Sequence, residues 1–175
     1  MIMKKNNIFL IGPVGSGKST IGKHLSKKLN MEFYDSDKEI EKRTGVDIGW
    51  IFDLEGEEGF RKRENKIILE LTDKQGIILA TGVEAIKNKN NKNRLSARGI
   101  VIYLKTSIEK QLSRTKHDKK KLFWKKQNTI LYHKLKKLEK KNNLIYKDIA
   151  DFTILTDKYN TKKITNQIIK ILENK

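Results

Sequence analysis

The sequence predicts an α/β domain built on a parallel sheet, and two observations carry that prediction. Five short apolar runs alternate with helical patterns along the 175 residues, the arrangement that strand–helix–strand crossovers produce. The first run, Ile8-Phe9-Leu10-Ile11, passes directly into a glycine-rich turn that opens a helix. The length suits one domain with one core, residues 1–175, and no linker, internal repeat or second domain is suggested.

Taken in order, residues 6–11 read as a buried strand, and 18–29 as a helix with Ile21, Leu25 and Leu29 at i, i+4, i+8. Glu32-Phe33-Tyr34 is a short second strand ending at Asp35-Ser36-Asp37. Two or three helices fill roughly 36–75, interrupted at Gly45, with Ile67, Ile68 and Leu71 as an apolar stripe. Gly76 stops the last of them and opens the strand Ile77-Ile78-Leu79-Ala80. A helix near 90–97 leads to Gly99 and the strand Ile100 to Leu104. Thr106-Ser107-Ile108-Glu109 fits a capping box, hydroxyl and carboxylate each satisfying a free N–H of the next helix, which carries Leu112. A Lys-rich stretch over 116–126 precedes a helix with Leu131, Leu135 and Leu138 on one side and its Lys residues mainly on the other. Phe152-Thr153-Ile154-Leu155 is the fifth strand, and Ile164, Ile168, Ile169 and Ile171 stripe the final helix.

Composition narrows the function. There is no Cys, hence no disulfide framework and no Cys-based metal site or nucleophile, and the three His lack ligand spacing. No apolar run approaches the ~18 residues of a membrane span, and no signal peptide is visible, so a reducing cytoplasm is the expected location. The net charge of +18 raises a nucleic-acid partner. But 33 of the 39 basic residues are Lys, and Lys, Asn and Ile all have AT-rich codons. Drift in base composition with solvated helix faces accounts for the charge, since base and phosphate forks favour Arg. A Lys-rich nucleic-acid-binding surface over 116–141 is the competing reading.

The chemistry begins at Gly12-Pro13-Val14-Gly15-Ser16-Gly17-Lys18-Ser19, a complete G-x-x-x-x-G-K-S/T phosphate-binding loop in its strand–loop–helix setting. Backbone N–H groups of Gly15, Ser16 and Gly17 and the helix start through Thr20 can surround phosphates. Lys18 can reach the terminal phosphates and Ser19 can ligate Mg²⁺. Asp35 and Asp37, two residues apart past a strand, can serve a metal and a hydroxyl separately; a plain helix cap is the alternative. Arg61 stands beside Phe60 with Glu64 on the same helical face. In a parallel sheet the phosphate loop, Asp35/Asp37, Thr81-Gly82 and the loops after 104 all fall at the carboxyl edge, where ligands bind.

On these segments, together with Glu41 to Arg63, Leu79-Ala80-Thr81-Gly82 and Asp118-Lys119-Lys120, the chain resembles the shikimate kinase family, particularly the bacterial type I enzymes of aromatic amino-acid synthesis. The resemblance runs from residue 6 to about 120 and from 144 to the end. It implies a three-layer P-loop NTPase-like fold of the nucleoside-monophosphate-kinase type, with strand order 2-3-1-4-5 and a lid at about 112–126. It implies a monomer that phosphorylates the 3-hydroxyl of shikimate with ATP and Mg²⁺. By position, Lys18 would stabilise the transferring phosphoryl group. Ser19 would bind Mg²⁺, Asp35 would hold a metal-bound water and Asp37 would help deprotonate the hydroxyl. Arg61 would grip the substrate carboxylate, oriented by Glu64; Ile48, Phe52 and Phe60 would wall the ring; Arg114 would lie against adenine.

Three departures from the family pattern fall in this site. Three consecutive glycines are replaced by Gly82-Val83-Glu84, giving a β-branched residue where φ > 0 is expected and a carboxylate near anionic ligands. The lid's Arg-Pro becomes Lys121-Leu122, and the second substrate-carboxylate arginine aligns with Lys141 or with nothing. Each loss of a guanidinium fork costs on the order of 1–3 kcal/mol. An ATP-binding protein drifted away from shikimate turnover is therefore the runner-up expectation.

Overall fold

The computed structural model describes residues 7–115 and 128–175. Five parallel strands, β1 (Asn7–Ile11), β2 (Glu32–Asp35), β3 (Ile77–Ala80), β4 (Gly99–Lys105) and β5 (Phe152–Leu155), form one sheet in the order β2-β3-β1-β4-β5. This is the expected order. The helices are α1 (Lys18–Leu29), α2 (Ser36–Thr44), α3 (Ile48–Asp73), α4 (Lys89–Arg98), α5 (Ile108–Thr115), α6 (Asn128–Ile149) and α7 (Thr161–Glu173), with a short 3₁₀ turn at Ala85–Lys87.

Alternation along the strands makes three layers. Ile8 and Leu10 of β1 face the cluster with Ile21 and Leu25 of α1 and Ile164 and Ile168 of α7. Phe9 and Ile11 face the other cluster, with Ile68 and Leu71 of α3, Leu95 of α4 and Tyr146 of α6. Burial on both faces is why the strands read as continuous apolar runs rather than alternating ones. Leu10 and Ile68 are both fully buried, so truncating either to Ala costs ~2–5 kcal/mol.

Local signals set the helix ends. Asp35 caps α2, accepting from the Asp37 and Lys38 amides at 3.1 and 3.2 Å, and Gly45 ends that helix at φ +74°. Asp47 caps α3 through the Trp50 amide. Non-helical geometry at Gly56 (φ +69°, ψ −177°) divides α3 into two segments, which makes three helices over the 36–75 stretch. The capping box is a correction. Ser107, not Thr106, takes the Lys110 amide at 3.3 Å. The Thr106 hydroxyl is buried and instead pairs with the Thr156 hydroxyl, at 2.6 Å.

One close approach sets the spacing between α1 and β2. A Cβ on Gly22 would stand 2.3 Å from the Phe33 ring. Only a glycine lets α1 lie this near the strand that ends at Asp35.

Candidate active site

Because the strands are parallel, Gly12, Asp35, Thr81, Thr106 and Thr156 all emerge at one edge. The phosphate loop is a backbone construction. Gly12 adopts φ +151°, and a Cβ there would meet the Leu104 carbonyl at 2.7 Å. The loop thus closes directly on the end of β4. The N-cap of α1 is Gly17, at φ +90° and with no side-chain cap, and the N-terminus of the helix opens onto the loop. Lys18 folds back over the loop, donating to the Gly12 and Pro13 carbonyls at 2.7 and 3.0 Å. Ser16 is buried in the turn and Thr20 is exposed on the first turn of α1.

Ser19 Oγ donates to Asp35 Oδ2 at 2.5 Å, while Asp35 Oδ1 caps α2. Asp35 is therefore the helix cap that the sequence offered as the alternative, and its second oxygen is the partner of Ser19. Asp37, in the first turn of α2, is different. Its Oδ1 is buried and has no hydrogen-bond partner among the described residues. Burial, then the nearby charges of Asp35 and Glu64, push its carboxyl up to about 7, against an opposing pull from Lys18. A Cβ on Gly82 would sit 2.9 Å from Asp37 Oδ1 and 2.6 Å from Glu64 Oε1. The absent side chain thus leaves a gap onto which two carboxylates converge.

Arg61 leaves α3 towards the same region. Its Nη1 donates to Glu64 Oε2 at 2.8 Å, and its guanidinium lies 5.1 Å over the Phe60 ring. Glu64 is almost wholly buried. Burial raises its carboxyl pKa, the Arg61 hydrogen bond opposing. Its charge is therefore costly without Arg61, and the pair stands or falls together. Phe60 is buried and stacks on the more exposed Phe52 at 4.7 Å, and Ile48 is half-buried nearby in sequence.

Arg114, on α5, ties the loop to the far side of the sheet. It donates to the Gly15 carbonyl at 2.9 Å and to the Thr156 carbonyl at 3.0 Å. With the Thr106–Thr156 hydroxyl pair and Gln111 bonded to the Thr106 carbonyl at 3.0 Å, it closes a polar network behind the loop.

The structure thus brings together Gly15 to Ser19, Asp35, Asp37, Arg61, Gly82 and Arg114 along one edge. Lys121 lies outside the described residues, as do Phe123 and Trp124 and most of the expected lid. Lys141 is exposed on α6, and its neighbour Asn142 is buried, with Oδ1 unpartnered among the described residues. The strain expected at Val83 is absent. Among described residues the only non-glycine at positive φ is Asn30. Glu84 sits at an ordinary φ of −102°.

Sequence reasoning missed two contributors and one contact. Tyr146 donates to the Val83 carbonyl at 3.0 Å and stacks on Tyr103, fixing the floor segment from α6. Thr156 anchors Arg114. Glu84, expected as a carboxylate near the ligands, makes no side-chain cap to its turn; the missed contact is the bond it accepts from Arg61 Nη2 at 2.6 Å.

Known proteins match nearly the whole chain. It is 58% identical over 171 residues to "Shikimate kinase 1" of Escherichia coli O139:H28, covering 98% of each. It superposes on a shikimate kinase from Acinetobacter baumannii solved in complex with shikimate, with a TM-score of 0.90, 43% identity, and 97% and 94% of the two chains covered. The shikimate kinase of Aquifex aeolicus gives a TM-score of 0.80 at 30% identity, covering 96% of each chain. The family model of shikimate kinase matches residues 14–173, and with that edge architecture and those relatives the chain belongs to the shikimate kinase family.

Proposed function

We propose that this chain transfers the γ-phosphoryl group of ATP to the 3-hydroxyl of shikimate, yielding shikimate 3-phosphate and ADP, as a cytoplasmic monomer working with Mg²⁺. The observation that carries the reading is the buried Oδ1 of Asp37, which has no hydrogen-bond partner among the described residues. It faces the gap at Gly82, between the phosphate loop on one side and the Arg61–Glu64 pair on the other. The full-length similarity to shikimate kinases points the same way.

The donor set fits a hard cation. Ser19 Oγ and Asp35 Oδ2 are paired oxygens beside the loop. Mg²⁺ takes one or two protein oxygens and completes its shell with water and phosphate oxygens. Its chemistry, when bound, is to neutralise charge on the phosphates.

The remaining work belongs to side chains and backbone. Loop amides and the α1 terminus receive the phosphates. Lys18 turns from the Gly12 and Pro13 carbonyls to the oxygens of the transferring group, where positive charge counts most. Asp37 Oδ1 accepts the hydrogen bond of the reacting hydroxyl and takes its proton as the new O–P bond forms and the bond to the β-phosphate oxygen breaks. Arg61 binds the substrate carboxylate through a guanidinium held in place by Glu64. Arg114 flanks the nucleotide end, and Lys121 adds lid charge there. Val83, Phe52, Phe60 and Ile48 border the ring.

An ADP-coupled assay with purified protein tests the reading. Shikimate-dependent and Mg²⁺-dependent ADP release is expected. Absence of turnover with both substrates at millimolar concentration overturns it. No helix among the described residues is long and apolar enough to cross a membrane.

A further inference from the structure

The outer edge of Arg61 is already engaged by a carboxylate. Nη1 serves Glu64, while Nη2 donates to Glu84 Oε2 at 2.6 Å. Glu57, four residues earlier and largely exposed, approaches Nη2 only to 3.5 Å. The second oxygen of Glu84 is held by Lys87 at 2.5 Å. One carboxylate therefore bridges two cations. One is half-buried against Phe60; the other stands on the adjoining 3₁₀ turn.

The backbone under Glu84 is independent of this bridge. Its φ and ψ are −102° and 1°, its side chain makes no cap to the turn, and the neighbouring Val83 carbonyl is fixed by Tyr146. Rotation about the Glu84 side chain can release Arg61 and keep Lys87 without moving the floor.

We infer that Glu84 is a specificity-determining residue, an internal carboxylate that occupies Arg61 until the carboxylate of a ring-bearing substrate displaces it onto Lys87. This rests on the reading of Arg61 as the substrate-carboxylate site. A bare guanidinium beside apolar walls binds any small carboxylate or phosphate. With Glu84 in place, such an anion must break a charged hydrogen bond and has nothing further to contribute. A substrate that also fills the walls and meets Asp37 supplies the difference. Discrimination of this kind is a difference between two affinities, raised by a built-in competitor. Arg61 stays neutralised in either state, so no uncompensated buried cation appears at any stage.

The experiment is calorimetric binding of shikimate, of its carboxamide analogue and of benzoate to the wild-type chain, Glu84→Gln, Lys87→Gln, the double variant and Arg61→Ala, with melting curves recorded for each. Glu84→Gln keeps shape and removes the competing charge. Shikimate is expected to bind about tenfold tighter, the scale of one partly screened charged hydrogen bond. Benzoate should gain at least as much, and the uncharged carboxamide should gain nothing. Lys87→Gln removes the resting place and should weaken shikimate several-fold, an effect that disappears in the double variant. Shikimate affinity unchanged or reduced in a folded Glu84→Gln protein, while Arg61→Ala abolishes binding, overturns the role of Glu84 alone. Wild-type affinity in Arg61→Ala overturns the carboxylate site and the competitor together.

Discussion

The phosphate loop and the acceptor floor share one sheet edge but are held in different ways. The loop is made of backbone. Gly12 closes on the Leu104 carbonyl, and Lys18 rests on carbonyls of its own turn. The floor is made of side chains from distant segments: Asp37, Arg61, Glu64 and Glu84, steadied by Tyr146. A backbone site tolerates almost no change in its few residues, while a side-chain site can be rebuilt by exchanging partners. That is how a family's run of glycines can become Gly82-Val83-Glu84 without backbone strain.

The sharpest way to break this contrast is Lys18→Ala, expected to lower kcat on the order of 10³-fold by removing charge from the transferring group. A loss under tenfold in steady-state assays would show that the loop backbone alone carries the nucleotide half.

Asp37→Asn should lower kcat on the order of 10²-fold, the contribution of a positioned general base. The same change tests its buried charge. The carboxyl is pushed up to about 7 in the fold, chiefly by burial, against 3.8 for an ordinary aspartate. Folding therefore favours its protonated form. That contribution is full below about pH 3.8 and is lost as pH rises through about 7. In metal-free buffer containing a chelator, Asp37→Asn is expected to melt above wild type at pH 8, with the gap narrowing towards pH 5. A gap that widens on acidification would contradict the assignment.

Arg114→Ala probes the seam between loop and sheet. It removes donors to the Gly15 and Thr156 carbonyls. The expected effect is about a tenfold rise in the KM for ATP, the scale of a partly exposed charged hydrogen bond, with the KM for shikimate little changed. Equal changes in both constants would mean the two halves are not separable.

The smallest effect is expected from Val83→Gly. Since Val83 is not at positive φ, restoring glycine relieves nothing and costs ~0.5–1 kcal/mol through chain entropy. Thermal melting should fall slightly and kcat should stay within about twofold. A tenfold gain in kcat would place the defect in the backbone after all.

The two halves also differ in how far they could be read from the sequence. The strands were legible because a sheet covered on both faces leaves uninterrupted apolar runs. The loop was legible because its chemistry lies in eight consecutive residues. Arg61 with Glu64 was legible as an i, i+3 pair on a helix. The Arg61–Glu84 bond was not, because it joins α3 to a turn beyond β3 and nothing local marks it. The capping hydroxyl was misassigned for the same reason: Thr106 and Ser107 are equivalent candidates until Thr156, just past β5, claims one of them. Lys141 against Asn142 is a matter of helix phase. One residue is about 100° of rotation, enough to turn a side chain from solvent to interior, and the helix register is set by packing of Tyr146 against Tyr103.

The contact of Gly22 with Phe33 reaches further than its size suggests. Ser19 stands one turn before Gly22 on α1, and Asp35 stands two residues after Phe33 on β2. The bare Cα at 22 therefore acts as a gauge block between helix and strand, calibrating the span across which Ser19 and Asp35 oxygens meet. A single methyl group at that position would re-gauge the Ser19–Asp35 pair without touching either residue.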